Sequence, residues 1–168
     1  LTDKTLNITK LNDVNKSTYD SIVIYSDGGS RGNPGPSAAG YVILNNRQEV
    51  IEEGGEYLGI TTNNIAEYQG VLLGLEKALE LGYRKVDFKV DSMLVVNQMK
   101  GFYKIKNREL WPVHERIRML MEQFERVTFT HVNRQFNQLA DGMVNKTLDA
   151  HAREKKRIAK DATVELLE

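Results

Sequence analysis

The hydrophobic period of this chain changes at Thr61, and that change limits the architectures open to it. Before it lie three strand candidates, Ser21 to Ser26, Ala38 to Leu44 and Glu49 to Leu58, separated by turn signals. They read as strands, with Asn45-Asn46 a tight hairpin turn between the second and third. From Thr61 to Leu81 the apolar residues Ile65, Tyr68, Leu72, Leu75 and Leu79 recur at helical spacing, and Gly82 stands just past the end. Strand and helix then alternate: strand Lys85 to Val90, helix Ser92 to about Met99, helix Asn107 to Phe124, strand Val127 to Val132, helix Asn137 to Leu148. Pro112 is tolerable in a first helical turn. Three strands in series followed by helical crossovers predict an α/β domain with a mixed sheet, its fourth and fifth strands parallel to the first. Ligands of such sheets bind outside the strand carboxyl ends.

Composition removes several function classes. The 168 residues suffice for one domain with a core. With 23 basic and 23 acidic side chains the net charge is zero, so a polyanion must be caught by a local patch. There is no cysteine, which excludes disulfides, thiolate catalysis and cysteine-based zinc sites. No segment has the length and apolarity of a membrane span, and no signal-peptide pattern opens the chain, so the expectation is a cytoplasmic protein without a membrane partner. Leu1 rather than Met at the start suits either a trimmed chain or a piece of a longer protein. Residues 1–20 read as a flexible leader, 21–148 as the folded domain, and 149–168 as a charged, helix-compatible tail.

Four acidic residues stand in particular settings. Asp27 closes the first apolar run and opens Gly28-Gly29-Ser30-Arg31-Gly32-Asn33-Pro34-Gly35-Pro36, a stretch expected to turn and to leave backbone bare for a polar ligand. Glu67 sits early in the long helix, Asp91 ends the fourth strand, and Asp141 lies early in the helix after the fifth strand. Each also has a plain structural reading: Asp91 as a helix N-cap, Glu67 and Asp141 as solvated helix residues favoured by the macrodipole. Two acids at strand carboxyl ends and two near helix starts nevertheless suit a shared site.

At these residues the sequence resembles ribonuclease H of type 1. The resemblance runs from Ile22 to Leu148. It rests on Ser26-Asp27-Gly28-Gly29 with Gly32 to Pro36, Thr62-Asn63-Asn64-Ile65-Ala66-Glu67, Val90-Asp91-Ser92, and Asn137-Gln138-Leu139-Ala140-Asp141. Gly101 to Asn107 is similar to the variant of archaeal and many bacterial members that lacks a basic protrusion. The resemblance implies a five-stranded mixed sheet, its first three strands antiparallel, flanked by helices. It implies a monomeric endonuclease that hydrolyses the RNA strand of RNA/DNA hybrids, leaving 5′-phosphate and 3′-hydroxyl ends. Asp27, Glu67, Asp91 and Asp141 would be the catalytic residues and the ligands of two Mg²⁺ ions, with Mn²⁺ able to substitute. Hard oxygen ligands suit Mg²⁺, and two such ions suit phosphoryl displacement.

Matched positions further imply substrate contacts. Asn33, Asn63 and Asn64, with Gly28 and Gly29, would meet 2′-hydroxyls of the RNA strand, and Thr62 a DNA phosphate. Helix capping explains Asn63-Asn64 equally well, and a turn explains Asn33-Pro34. Lys104 and Lys106, among Lys100, Arg108, Phe102 and Tyr103, form a short substitute for the protrusion or a solvated connector. His131 falls within the fifth strand and carries no catalytic assignment. Asn137 or Gln135 occupies the region where other members use a Glu or His for product release, and Ile65 replaces an arginine. Met93, Trp111, Met119, Met121 and Phe124 read as core, and His114 and His151 as surface. A non-catalytic hybrid-binding module would predict a lost carboxylate; another nuclease or integrase-like enzyme could share the fold.

Overall fold

The computed structural model describes residues 21–167; the leader expected over 1–20, and the last tail residue, lie outside them. Strands β1 (Ser21–Ser30), β2 (Gly35–Leu44) and β3 (Val50–Thr61) form an antiparallel meander. Strands β4 (Lys85–Val90) and β5 (Arg126–His131) add in parallel beyond β1, giving the order β3-β2-β1-β4-β5. The four helices are α1 (Asn63–Glu80), α2 (Met93–Met99), α3 (Trp111–Met121) and α4 (Gln138–Leu167), with a 3-10 turn at Arg108–Leu110 ahead of α3. The expected five-stranded mixed sheet with three antiparallel strands is what forms.

β1 departs from expectation. It does not stop at Ser26 but runs through the glycines, pairing Gly28 with Ala39 and Ser30 with Ser37. At Gly28 a helix is pressed onto the strand: a Cβ there would lie 2.0 Å from the Ala66 carbonyl carbon of α1. The turn itself comes at 31–34, where Gly32 has φ 91° and the Asn33–Pro34 peptide is cis. The second hairpin is also wider than expected: it spans Asn45 to Glu49, with Asn45 Oδ1 accepting from both Arg47 N and Glu49 N and with Gln48 at φ 63°.

The main core lies on one face of the sheet. Ile22 and Ile24 of β1 and Ile43 of β2 meet Tyr68, Val71 and Leu75 of α1, and Phe88 joins them from β4. On the opposite face, α4 covers a smaller cluster of Ala38, Val144 and Leu148. Three side chains expected in the core are outside it: Met93, Trp111 and Met119 are 52%, 50% and 63% exposed. They lie on the outward sides of short helices that bury only one stripe. Phe124 does join the core, and Met121 packs against it. The two histidines expected at the surface are half-buried: the His114 ring meets Tyr68 edge-on, and His151 stacks on Tyr57 at 3.5 Å between centroids. α4 continues past Leu148 without a break, and residues 152–167 are exposed on every side.

Candidate active site

The site forms where β1 and β4 part. The parallel pairing of β1 with β4 ends at Tyr25 opposite Lys89, and Asp27 and Asp91 each stand two residues further on. A two-residue step returns a side chain to the same face, and neighbouring strands lie about 4.8 Å apart, so the two carboxylates meet just past the last rung. α1 brings the third. A Cβ on Gly70 would lie 2.5 Å from the Asp27 carbonyl oxygen, and Gly28 meets Ala66 as described, so backbone packs on backbone at this crossing and sets Glu67 beside Asp27. Oxygens of Asp27, Glu67 and Asp91 lie within 4.8 Å of one another. Asp141, in the first turn of α4, stands outside that trio but lines the same cavity, of about 400 Å³.

Asp91 does not cap α2 as its sequence position suggested. Ser92 does so, its Oγ accepting from Val95 N at 3.2 Å, which leaves the Asp91 carboxylate to the site. Asn137 holds it there. Fully buried, its Nδ2 donates to the Ser26 carbonyl at 3.0 Å and to Asp91 Oδ2 at 3.1 Å. One amide thus ties β1, the end of β4 and the start of α4 together. Of the two residues in the region where other members use a Glu or His, Asn137 is buried and Gln135 exposed. His131 Nε2 lies 3.2 Å from the Asp91 backbone oxygen, a contact that braces the same chain segment.

The electrostatics follow from crowding. Burial, then the charges of Asp91, Asp141 and Glu67, push the Asp27 carboxyl up to about 8 against a lowering hydrogen bond from the Gly28 N–H. Burial likewise pushes Glu67 up to about 7, with the Asp91 charge adding and a Ser92 hydrogen bond opposing. Such a cluster either holds protons near neutrality or holds cations. Its hard oxygen donors at the mouth of a polar cavity fit divalent metal ions of the magnesium type.

The candidate substrate residues fall into two groups. Gly28, Gly29 and Asn63 line the carboxylate cavity. Asn63 Oδ1 accepts from Ser30 N at 2.9 Å, and Asn33 Oδ1 accepts from Asn63 N at 3.2 Å, so these two asparagines staple the 31–34 turn to the start of α1. Thr62 caps α1, accepting from Ile65 N. Asn64 lines a second cavity of about 600 Å³, whose walls also include Phe102, Tyr103, Lys104 and Lys106 of the connector. That connector is held by Phe102 N and Tyr103 N donating to Asn97 O and by side chains, Gln98 donating to Lys104 O and Trp111 Nε1 to Ile105 O, while Arg118 donates to Met99 O just before it. Sequence reasoning missed Arg31, Arg134 and Asn145, which line the carboxylate cavity, and the bracing role of Asn137. For Arg134 and Asn145 a signal existed: a cation in the loop before the last acid, and an amide one helical turn after it. Asn145 Nδ2 donates to Asp141 Oδ2 at 3.2 Å.

The family profile described as reverse transcriptase-like matches residues 25–147. A bifunctional protein of Mycobacterium tuberculosis is 40% identical over 132 residues, which are 78% of this chain and 36% of that protein. The ribonuclease HI of Halobacterium salinarum is 38% identical over 74% of this chain and 63% of its own length. Its crystal structure superposes with a TM-score of 0.75 at 37% identity, covering 77% of this chain and 98% of that one. A ribonuclease H1 isolated from compost, solved in complex with an RNA/DNA hybrid, gives 0.75 at 36% identity over 78% of this chain and 99% of that one. The chain therefore spans about a third of the mycobacterial relative and under two thirds of the haloarchaeal one. Among the described residues no helix is long and apolar enough to cross a membrane.

Proposed function

The chain belongs to the ribonuclease H family, and on that premise we propose that it is a metal-dependent endonuclease cutting the RNA strand of RNA/DNA hybrids, with 5′-phosphate and 3′-hydroxyl products. The observation that carries this reading is the convergence of Asp27, Glu67 and Asp91 at the sheet edge, with Asp141 on the same cavity wall. These four would hold two Mg²⁺ ions, or Mn²⁺ in their place. The ions, when bound, supply activation of the attacking water and stabilisation of the leaving oxygen.

The chain's own residues do the rest. Asn137 orients Asp91, and the α1–β1 crossing keeps Glu67 and Asp27 together before any ligand arrives. Arg134 at the cavity wall offers a guanidinium to a phosphate. Asn33 and Asn63 spend their side-chain oxygens on backbone N–H groups, which leaves their NH₂ groups as donors toward 2′-hydroxyls. Asn64, Lys104 and Lys106 meet the hybrid at the connector, and Thr62 offers its hydroxyl proton to a DNA phosphate. In this reading 21–148 is the catalytic unit of a monomeric, cytoplasmic protein.

The test is cleavage of labelled RNA/DNA, RNA/RNA and DNA/DNA duplexes of one sequence, with Mg²⁺ and with chelator. Cutting of the hybrid's RNA strand alone, abolished by chelator, is the expected result. Cleavage of DNA/DNA, or tight hybrid binding without cleavage, would overturn it in favour of another nuclease or of a binding module.

A further inference from the structure

We propose that the outer half of α4 is a phosphate-gripping arm. On this reading Arg153, Lys156 and Lys160 bind the backbone of the RNA/DNA hybrid beyond the region that the catalytic cavity covers. The proposal rests on the function proposed above and adds to it a second contact surface on the same substrate.

The first support is continuity. Asp141, Asn145, Asp149, Arg153, Lys156 and Lys160 follow one another at steps of three or four residues, so they share one helix face. Asp141 and Asn145 line the carboxylate cavity. Asp149 binds Arg31, itself a wall of that cavity, with Nη2 to Oδ1 at 2.6 Å. The three cations extend this face outward from the site. At about 1.5 Å per residue, Arg153 lies about 18 Å from Asp141 along the axis and Lys160 about 28 Å. A strand with one phosphate per about 3.4 Å would pass Arg153 some five steps from the cut and offer about three phosphates between Arg153 and Lys160.

The second support is that every acid within reach is already engaged. Glu154 and Asp161 both pair with Arg157, at 2.6 and 3.1 Å, and Asp149 pairs with Arg31. Among the described residues Arg153, Lys156 and Lys160 make no ion pair, and all three are exposed. A solvated helix face usually intersperses its signs. Here Arg157 collects the acids on one side and leaves a stripe of one sign. The chain has no net charge to steer a polyanion, so a local stripe leading into the cavity has an electrostatic effect that global charge cannot supply.

The experiment compares wild type with the triple variant Arg153→Gln, Lys156→Gln, Lys160→Gln, whose glutamines preserve helix propensity. kcat/KM is measured against salt on two hybrids cut at the same step, one with about 4 base pairs on each side and one with about 12, the shorter falling short of Arg153 at 3.4 Å per step. The arm predicts a several-fold loss on the long hybrid at low salt. It also predicts a log–log salt slope shallower by up to about 2.7, from 0.9 per lost phosphate contact, and no change on the short hybrid. An unchanged slope on the long hybrid, or an equal loss on both, overturns the arm while leaving the nuclease reading intact. If wild type cuts neither hybrid, the nuclease reading falls, and the arm with it.

Discussion

The carboxylate edge and the connector at 100–107 both border cavities that a nucleic acid could enter, yet they are built in opposite ways. At the carboxylate edge, position comes from backbone pressed on backbone, Gly28 against Ala66 and Gly70 against Asp27, and from a fully buried amide on Asp91. At the connector, position comes from Phe102 N and Tyr103 N turned back onto the Asn97 carbonyl and from Gln98 and Trp111 side chains reaching the Lys104 and Ile105 carbonyls, and Phe102 and Tyr103 stay 73% and 53% exposed. The first arrangement cannot shift without unpacking a helix. The second presents exposed side chains that adjust with a rotamer. Chemistry that fails on a misplacement of about 1 Å belongs on the first kind of frame, and grip on a flexible polyanion tolerates the second.

The largest effect should come from the carboxylates. Asp91→Asn should lower hybrid cleavage by well over a hundredfold, since even outer-shell partners of a metal site cost 10–100-fold. Thermal stability without metal should hold or rise, because a buried repulsion is relieved. Cleavage within tenfold of wild type would remove Asp91 from the chemistry. Next comes the seam itself. In Gly28→Ala the added methyl meets the Ala66 backbone at 2.0 Å, so α1 must move. Overpacking of this kind costs about 1–3 kcal/mol, and activity should fall with stability. An unaltered melting temperature would mean the two backbones are not in contact.

Asn137→Ala should cost about 1–3 kcal/mol for the buried Ser26 carbonyl left without its donor, and should reduce kcat more than it raises KM. If only stability changes, with kcat intact, Asn137 is a brace for the fold and not for Asp91. The pH response separates the two regions more gently. Asp27 and Glu67 titrate near 8 and 7 in the fold, against 3.8 and 4.5 for the free side chains. Between those values the folded state binds more protons than the unfolded one, so metal-free stability should fall as pH rises from about 4 to 8. Added Mg²⁺ should flatten that slope, and Asp27→Asn should remove much of it. Metal-free stability that rises across this window would refute the crowded cluster. The smallest effect belongs to the connector: Lys104→Ala with Lys106→Ala should raise KM a few-fold and shallow the salt slope by at most about 1.8, with kcat unchanged. An unchanged slope would make these lysines a solvated connector.

Element types, their order and the four acids were legible from residues 21–148 because each is written locally. Period two or 3.6 marks what packs against a core, and Asp27, Glu67, Asp91 and Asp141 sit beside strand ends or helix starts that the same periods reveal. Where the reading failed, the deciding partner was distant in sequence. The run Gly28-Gly29 has the composition of a turn, and only its pairing with β2, together with α1 packed against Gly28 from nearly forty residues away, makes it a strand with no room for a Cβ at Gly28. Asn137 looks like an ordinary amide at a helix start until Ser26 and Asp91, brought in from two strands, accept from it. Trp111 has the spacing of a core residue, but a short helix buries one stripe, and Trp111 falls outside it. The sequence by itself determined which residue types were available for this chemistry and in which element each would sit. The tertiary structure alone decided which of them meet, how far their carboxyls are driven toward neutrality, and what face α4 carries outward, because those depend on contacts between segments whose separation along the chain no local pattern records.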